Sequence, residues 1–428
     1  RRRAGCGERG FPGWSTKPTN RRCCPMSLHR TSSANLRTLL IPILLAPLLA
    51  ILTACSGGNP DKSLAQADAR YALEVLDRAP EQGFPKGSFG IGAIHAAVDR
   101  KDPNASAMLR TAVIAYARAE HGLLIPAKSR PAAWGEGAAP YDAAASLDTA
   151  LRQHQFHAWL DGQPPSSGLY RTLQQAYAAT LAQPQTPQSA AFAATLRANL
   201  ERLRWLPRDE PSTRIDVNIA SMSLIYLVDG QPRLTMRTAS GKPGDETPIL
   251  TSKIDHIVLD PPWNVPKGIA EKELLPKGED YLTAHGFETK DDGGLVQTPG
   301  PQSALGLVKF DFANPYAVYL HDTPSKAAFD RDGRAVSHGC VRLEHALDLA
   351  NLLLANEPGW SADRVQEVIA GGQTTTITLS HPVAVRLLYL TAVPQGGTIV
   401  PATDIYGWDG PMLRALDRAA LGNNAAPA

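Results

Sequence analysis

The chain changes its hydrophobic grammar near Trp205-Leu206-Pro207, and this change constrains the fold more than any composition figure. Upstream, from 62 to about 182, apolar residues recur at helical spacing in an alanine-rich background. The spacing predicts helices over 64–76, 106–119, 143–160 and 169–181, with Phe84-Pro85-Lys86-Gly87 and Gln163-Pro164-Pro165 as breaks. A further helix is expected through 196–203. Downstream the period shortens to two. Segments 222–228 and 234–239 flank Asp229-Gly230, a dipeptide suited to a tight hairpin turn. Further strands are expected over 254–259, 317–321, 374–379 and 383–390. One helix should stand among them, over 341–356, with Leu343, Leu347, Ala350 and Leu354 on its apolar face. The fold class expected is therefore α+β: an N-terminal helical scaffold, then a β-rich, sandwich-like domain.

The N-terminal stretch reads differently. Residues 1–25 have no periodicity and are expected to be an extension foreign to the mature protein. Met26 opens a signal-peptide pattern over 26–54: basic His29, Arg30 and Arg37, then an apolar run over 39–52, too short to span a bilayer as a helix. The run ends in Leu52-Thr53-Ala54-Cys55, which resembles the bacterial lipobox, and Ser56 resembles the residue that follows the lipidated cysteine in outer-membrane lipoproteins. The expectation is an exported, periplasmic protein held by acyl chains on Cys55, the alternative being a soluble exported form. Net charge follows the same division. The whole chain is +2, but residues 1–54 hold nine basic and one acidic side chain, which leaves −6 on the remainder. That remainder lacks the positive field a nucleic-acid partner requires.

Chemistry concentrates around one thiol. Of five cysteines only Cys340 lies outside the N-terminal stretch. It stands in Ser337-His338-Gly339-Cys340-Val341-Arg342, with His321 19 residues upstream at a strand end. A nucleophile, a base and a Gly-Cys turn whose amides can hold an oxyanion are the parts of a cysteine acyl-transfer enzyme. A thiol at a helix start would also have its anion favoured by the helix dipole. A zinc site from His321, His338, Cys340 and His345 is the rival reading, and no zinc-type spacing supports it.

These residues resemble the signature of the L,D-transpeptidases with a YkuD-type domain. The resemblance extends to Asp260-Pro261-Pro262-Trp263, Pro299-Gly300-Pro301, Ala304-Leu305-Gly306 and Tyr316–Pro324, and runs from about 202 to 409. It departs at Ser303 and Val296, where the family commonly has asparagine and arginine. It implies Cys340 as nucleophile and His321 as base, oriented by a backbone carbonyl, although the sequence alone does not separate His321 from His338. His338 and Gly339 shape the oxyanion turn. Tyr319, Ser337, Arg342 and Trp263 are candidate substrate contacts, Arg342 having a salt bridge at the helix start as its structural alternative. The segment from Trp263 to about Gly300 resembles a capping loop. The substrate implied is the peptidoglycan stem peptide, with 3–3 cross-links as product, no metal or organic cofactor, and other wall-synthesis enzymes as partners. Water as acceptor, giving an L,D-carboxypeptidase or amidase, is the alternative.

The organisation expected is a linker over 55–61, helical scaffold over 62–182, linker and helix over 183–204, catalytic domain over 205–410 and a C-terminal tail over 411–428.

Overall fold

The computed structural model describes residues 64–422. The signal pattern, Cys55 and the last six residues lie outside the described residues.

Seven helices come first: α1 (Gln66–Asp77), α2 (Ile91–Asp99), α3 (Ala105–Glu120), α4 (Ala143–Arg152), α5 (Phe156–Asp161), α6 (Gly168–Leu181) and α7 (Pro187–Arg204). The single helix expected over 143–160 is two. His154 takes a φ of 54° between them, which a continuous helix does not allow. α7 is longer than expected because Thr186 caps it in a reciprocal pair with Ser189 and Pro187 occupies its first turn. It carries Glu201, Arg202 and Arg204, all buried. The Arg204 guanidinium bonds Glu120, Glu201 and the Tyr170 hydroxyl, which locks α7 to α3 and α6.

The strands are β1 (Arg214–Asn218), β2 (Ser223–Val228), β3 (Gln231–Gly241), β4 (Leu250–Leu259), β5 (Trp263–Asn264), β6 (Phe287–Thr289), β7 (Leu295–Gln297), β8 (Val308–Phe312), β9 (Leu320–His321), β10 (Ala335–Ser337), β11 (Val341–Leu343), β12 (Thr375–Leu388), β13 (Ala392–Gln395) and β14 (Thr398–Pro401). Nine form one sheet in the order β10-β3-β11-β9-β8-β4-β12-β1-β2. β2 also pairs with β3, so the sandwich-like layer is one sheet curled until it closes. The β2–β3 turn is the one expected, with Asp229 and Gly230 both at positive φ.

Three further expectations need correction. The strands expected at 374–379 and 383–390 are one strand, β12, with a register shift between Thr378 and Val383. Pro382 sits in that interruption, where its missing N–H leaves no ladder bond unmade. The helix expected over 341–356 begins only at Ala346 (Ala346–Leu354). Val341, Arg342 and Leu343 are strand, pairing with both β3 and β9, and the alternation of buried Val341 and Leu343 is a strand's period. The tail expected from 411 is a helix, Asp409–Gly422, that buries Met412, Leu416 and Ala420 and pairs Asp417 with Arg197 of α7.

The described residues, 64–422, belong to one compact unit by their contacts. One core runs from Leu76, Tyr116 and Leu147 of the helices through Trp205 to Ile215, Ile257 and Phe310 of the sheet. Between β4 and β8 the chain builds a small separate sheet, β5-β7-β6, over its own core of Val265, Ala270, Leu274, Phe287 and Leu295.

Candidate active site

The site is a row of side chains on one face of the curled sheet. β9 and β11 run parallel with Leu320 opposite Val341 and His321 opposite Arg342. One step earlier this register brings Tyr319 beside Cys340, and the Val341 amide donates to the Tyr319 carbonyl at 3.2 Å. Residues two apart on a strand share a face, so Tyr319, His321, Cys340 and Arg342 project together. β8 adds Lys309, opposite His321. Its Nζ lies 5.0 Å from the centre of the Tyr319 ring and 3.0 Å from Asp311 Oδ2.

Cys340 is half-buried and is the free cysteine of the described residues. It precedes a strand, so no helix dipole acts on it as the sequence reading had supposed. Burial pushes its thiol pKa up. Tyr319, through its backbone and its hydroxyl, and the charges of Arg342 and Lys309 oppose that rise without cancelling it. Burial raises the Tyr319 hydroxyl's own pKa, and Cys340 beside it adds to that rise.

The His321 ring is buried at 4% exposure. Its Nδ1 lies 2.5 Å from the Asp322 backbone oxygen. A carbonyl only accepts, so Nδ1 carries the proton and Nε2 the lone pair. Burial, then the Arg342 charge, drives the His321 pKa down to about 3, against a smaller upward pull from the Asp322 and Leu305 carbonyls. The Asp322 side chain is turned away. Its carboxylate accepts from the Leu307 amide at 2.9 Å and from Lys326 Nζ at 2.6 Å. Gly306 is glycine because its φ is +60° and a Cβ there would stand 2.4 Å from that carboxylate.

The turn before Cys340 is braced from within. Gly339 has a φ of +115°, a region closed to other residues without strain. The Ser337 hydroxyl donates to the Cys340 carbonyl at 2.5 Å and accepts from the Gly339 amide at 3.2 Å. Ser337 is therefore occupied by the turn rather than turned toward a ligand, and the Gly339 amide, an expected oxyanion donor, is engaged by Ser337. Thr247 holds the turn from behind, its hydroxyl donating to the Gly339 carbonyl and accepting from the Gly241 amide, both at 2.8 Å. His338 points outward, with Nε2 2.7 Å from Glu273 Oε1.

Arg342 departs from its structural alternative. It forms no ion pair among the described residues, and its Nε is buried without a hydrogen-bond partner. A guanidinium left in this state beside a nucleophile is set up to receive an anion. Sequence reasoning missed Lys309, Thr247, the Leu305 carbonyl and Glu273. Only Lys309 had a legible signal, in the strand alternation of Val308-Lys309-Phe310-Asp311.

The comparisons agree with this geometry. Residues 212–376, which contain every one of the row's side chains, match the model of the YkuD L,D-transpeptidase catalytic domain. The match takes in less than half of the chain, and it makes this segment similar to an L,D-transpeptidase catalytic domain. A Haemophilus influenzae protein named "Putative L,D-transpeptidase" is 37% identical over 236 residues, covering 50% of this chain and 48% of that protein. The chain thus spans about half the length of the curated relative it matches. Solved structures also align, at low TM-scores. The catalytic domain of the E. faecium L,D-transpeptidase acylated by ertapenem is 16% identical, covers 42% of this chain and 99% of that one, and has a TM-score of 0.23. An L,D-transpeptidase from Mycobacterium smegmatis is 16% identical over 41% of this chain and 58% of that one, with a TM-score of 0.22. TM-scores this low add nothing to the assignment, which rests on the domain match. The match begins just before β1, takes in the small sheet and ends within β12, while α1–α7 lie outside it.

Proposed function

We propose that the chain cross-links peptidoglycan by L,D-transpeptidation, with a stem tetrapeptide as donor and the side-chain amine of a second stem as acceptor. The observation that carries this reading is the unpaired guanidinium of Arg342 beside Cys340, on the face that also bears His321. A stem peptide ends in carboxylates, and a half-buried Arg whose Nε has no partner gains by meeting one.

The electrostatics favour attack by a thiol that loses its proton as it reacts. Burial holds the Cys340 thiol neutral, and His321 is neutral as well, with a lone pair on Nε2. In the proposed sequence His321 takes the Cys340 proton as the sulfur attacks the diaminopimelate carbonyl, and the Cys340 amide faces the oxyanion. His321 then protonates the departing D-Ala amine, and a thioester remains on Cys340. Attack by the acceptor amine breaks the C–S bond and gives a 3–3 cross-link. As part of the same reading the protein is exported to the periplasm and anchored through lipid on Cys55 at the outer membrane, where its substrate lies.

The test is incubation of the chain with purified disaccharide-tetrapeptide beside the Cys340→Ala variant, products read by mass spectrometry. A dimer lacking one D-Ala, absent with the variant, is the expected result. Tripeptide monomer alone would mean that water is the acceptor. Unchanged substrate would overturn the reading.

A further inference from the structure

The acceptor half of the reaction poses a problem that the row on the sheet does not solve. An acceptor amine arrives as an ammonium ion, since amines of this type titrate near pH 10. It must lose a proton before it can attack the thioester. His321 is badly placed for that task. It is 4% exposed, its Nδ1 is held by the Asp322 carbonyl, and it stands opposite the Arg342 guanidinium, which repels a cation.

A second imidazole sits two residues before the nucleophile. The His338 side chain is 31% exposed, and its Nε2 lies 2.7 Å from Glu273 Oε1, which is 47% exposed. Glu273 belongs to the small sheet's subdomain, in the helical turn Ala270–Leu274, so the pair bridges that subdomain and the catalytic turn. Among the described residues Lys242 also reaches the ring, its Nζ 3.5 Å from Nε2 and 3.2 Å from Asp245 Oδ2. At 2.7 Å the carboxylate is the closer partner and accepts from Nε2–H, which leaves the lone pair on Nδ1. A carboxylate that fixes a histidine's tautomer and orients its ring is the arrangement of a general base.

We infer that His338, oriented by Glu273, is the base that deprotonates the acceptor amine. This rests on the transpeptidase reading above. The chemistry balances without a further reagent. The ammonium proton passes to His338 and then to solvent, and the free amine forms the new C–N bond as the C–S bond breaks. The second amine proton goes to the departing Cys340 sulfur. The Glu273 carboxylate also supplies the negative charge that draws an ammonium toward a site floored by Lys309 and Arg342.

The experiment separates the two half-reactions on the full chain. Disaccharide-tetrapeptide is added first, and the D-Ala burst measures acylation. The acyl-enzyme is then chased with either a stem-peptide amine, protonated at pH 7, or hydroxylamine, already neutral there and in no need of a base. In Glu273→Gln and His338→Gln, loss of aminolysis by the stem amine should exceed any loss of acylation at least tenfold, while hydroxylamine aminolysis falls far less. Equal losses for the two nucleophiles would mean that the pair only shapes the turn, and no selective loss would mean that it plays no part; either result overturns the proposal. Absence of a D-Ala burst in the unmodified chain would instead remove the transpeptidase reading, and this proposal with it.

Discussion

His321 shows how burial decides what a residue can do. A histidine of ordinary pKa, near 6.5, would be half protonated in mildly acidic solution, but this one stays neutral down to about pH 3. The acid limb of kcat/KM for acylation is therefore expected below pH 5, and a limb at pH 6 to 7 would show that another group is the base. Stability follows from the same shift. The unfolded chain binds a proton at His321 below about 6.5 and the folded chain only near 3, so between those values the unfolded state holds more protons and stability falls as pH falls. The effect is on the order of a few kcal/mol. Between pH 7 and pH 4 the urea midpoint should fall less in His321→Gln than in the unmodified chain. Thr247 tests the turn in the same way. Thr247→Val keeps the shape but leaves the Gly339 carbonyl and the Gly241 amide without their partner, which should cost about 1–3 kcal/mol and slow acylation. An unchanged melting temperature would remove Thr247 from the brace.

At the scale of elements, β9 and β11 carry the site, and their short lengths explain how much of it the sequence disclosed. Cys340, His321 and Arg342 were legible from the motif and the family it resembles, and Tyr319 from the period of two that puts it on the face of His321. The local structure after Cys340 was not. Leu343, Leu347, Ala350 and Leu354 fit a helical face, yet pairing with β3 and β9 holds Val341–Leu343 extended, and a parallel partner from elsewhere in the chain is invisible to local periodicity. The same holds for Glu273 and the Leu305 carbonyl, which reach the site through the fold of the small subdomain and the 303–307 loop. The C-terminal helix is a different kind of miss, since Met412, Leu416 and Ala420 already recur at helical spacing. Asp322 and Gly306 give this scale its prediction. Gly306→Ala forces a Cβ against the Asp322 carboxylate at a φ of +60°, which should destabilise by about 1–3 kcal/mol and, by shifting the Leu305 carbonyl, lower acylation. Retention of both would show that the loop does not support His321.

At the scale of the molecule, helices and sheet share one core, and the buried Arg204–Glu120–Glu201 group lies inside the helical part, close to where Trp205 joins the two. A cooperative unit is the consequence. Thermal unfolding should show one transition by near-UV and far-UV circular dichroism, and two separated transitions would mean that α1–α7 fold independently of the sheet. Arg204→Met leaves the Glu120 and Glu201 carboxylates buried without their cation and should cost about 3–5 kcal/mol. The helices thus act on the chemistry by holding the sheet that sets the Tyr319–Cys340 and His321–Arg342 register. Whether that register makes Cys340 an acyl carrier is tested most directly by rapid-quench intact-mass measurement of the full chain mixed with disaccharide-tetrapeptide. The expected result is an adduct of one disaccharide-tripeptide on Cys340, formed in step with release of one D-Ala per chain. Release of D-Ala with no adduct on Cys340 at any time point would contradict the account.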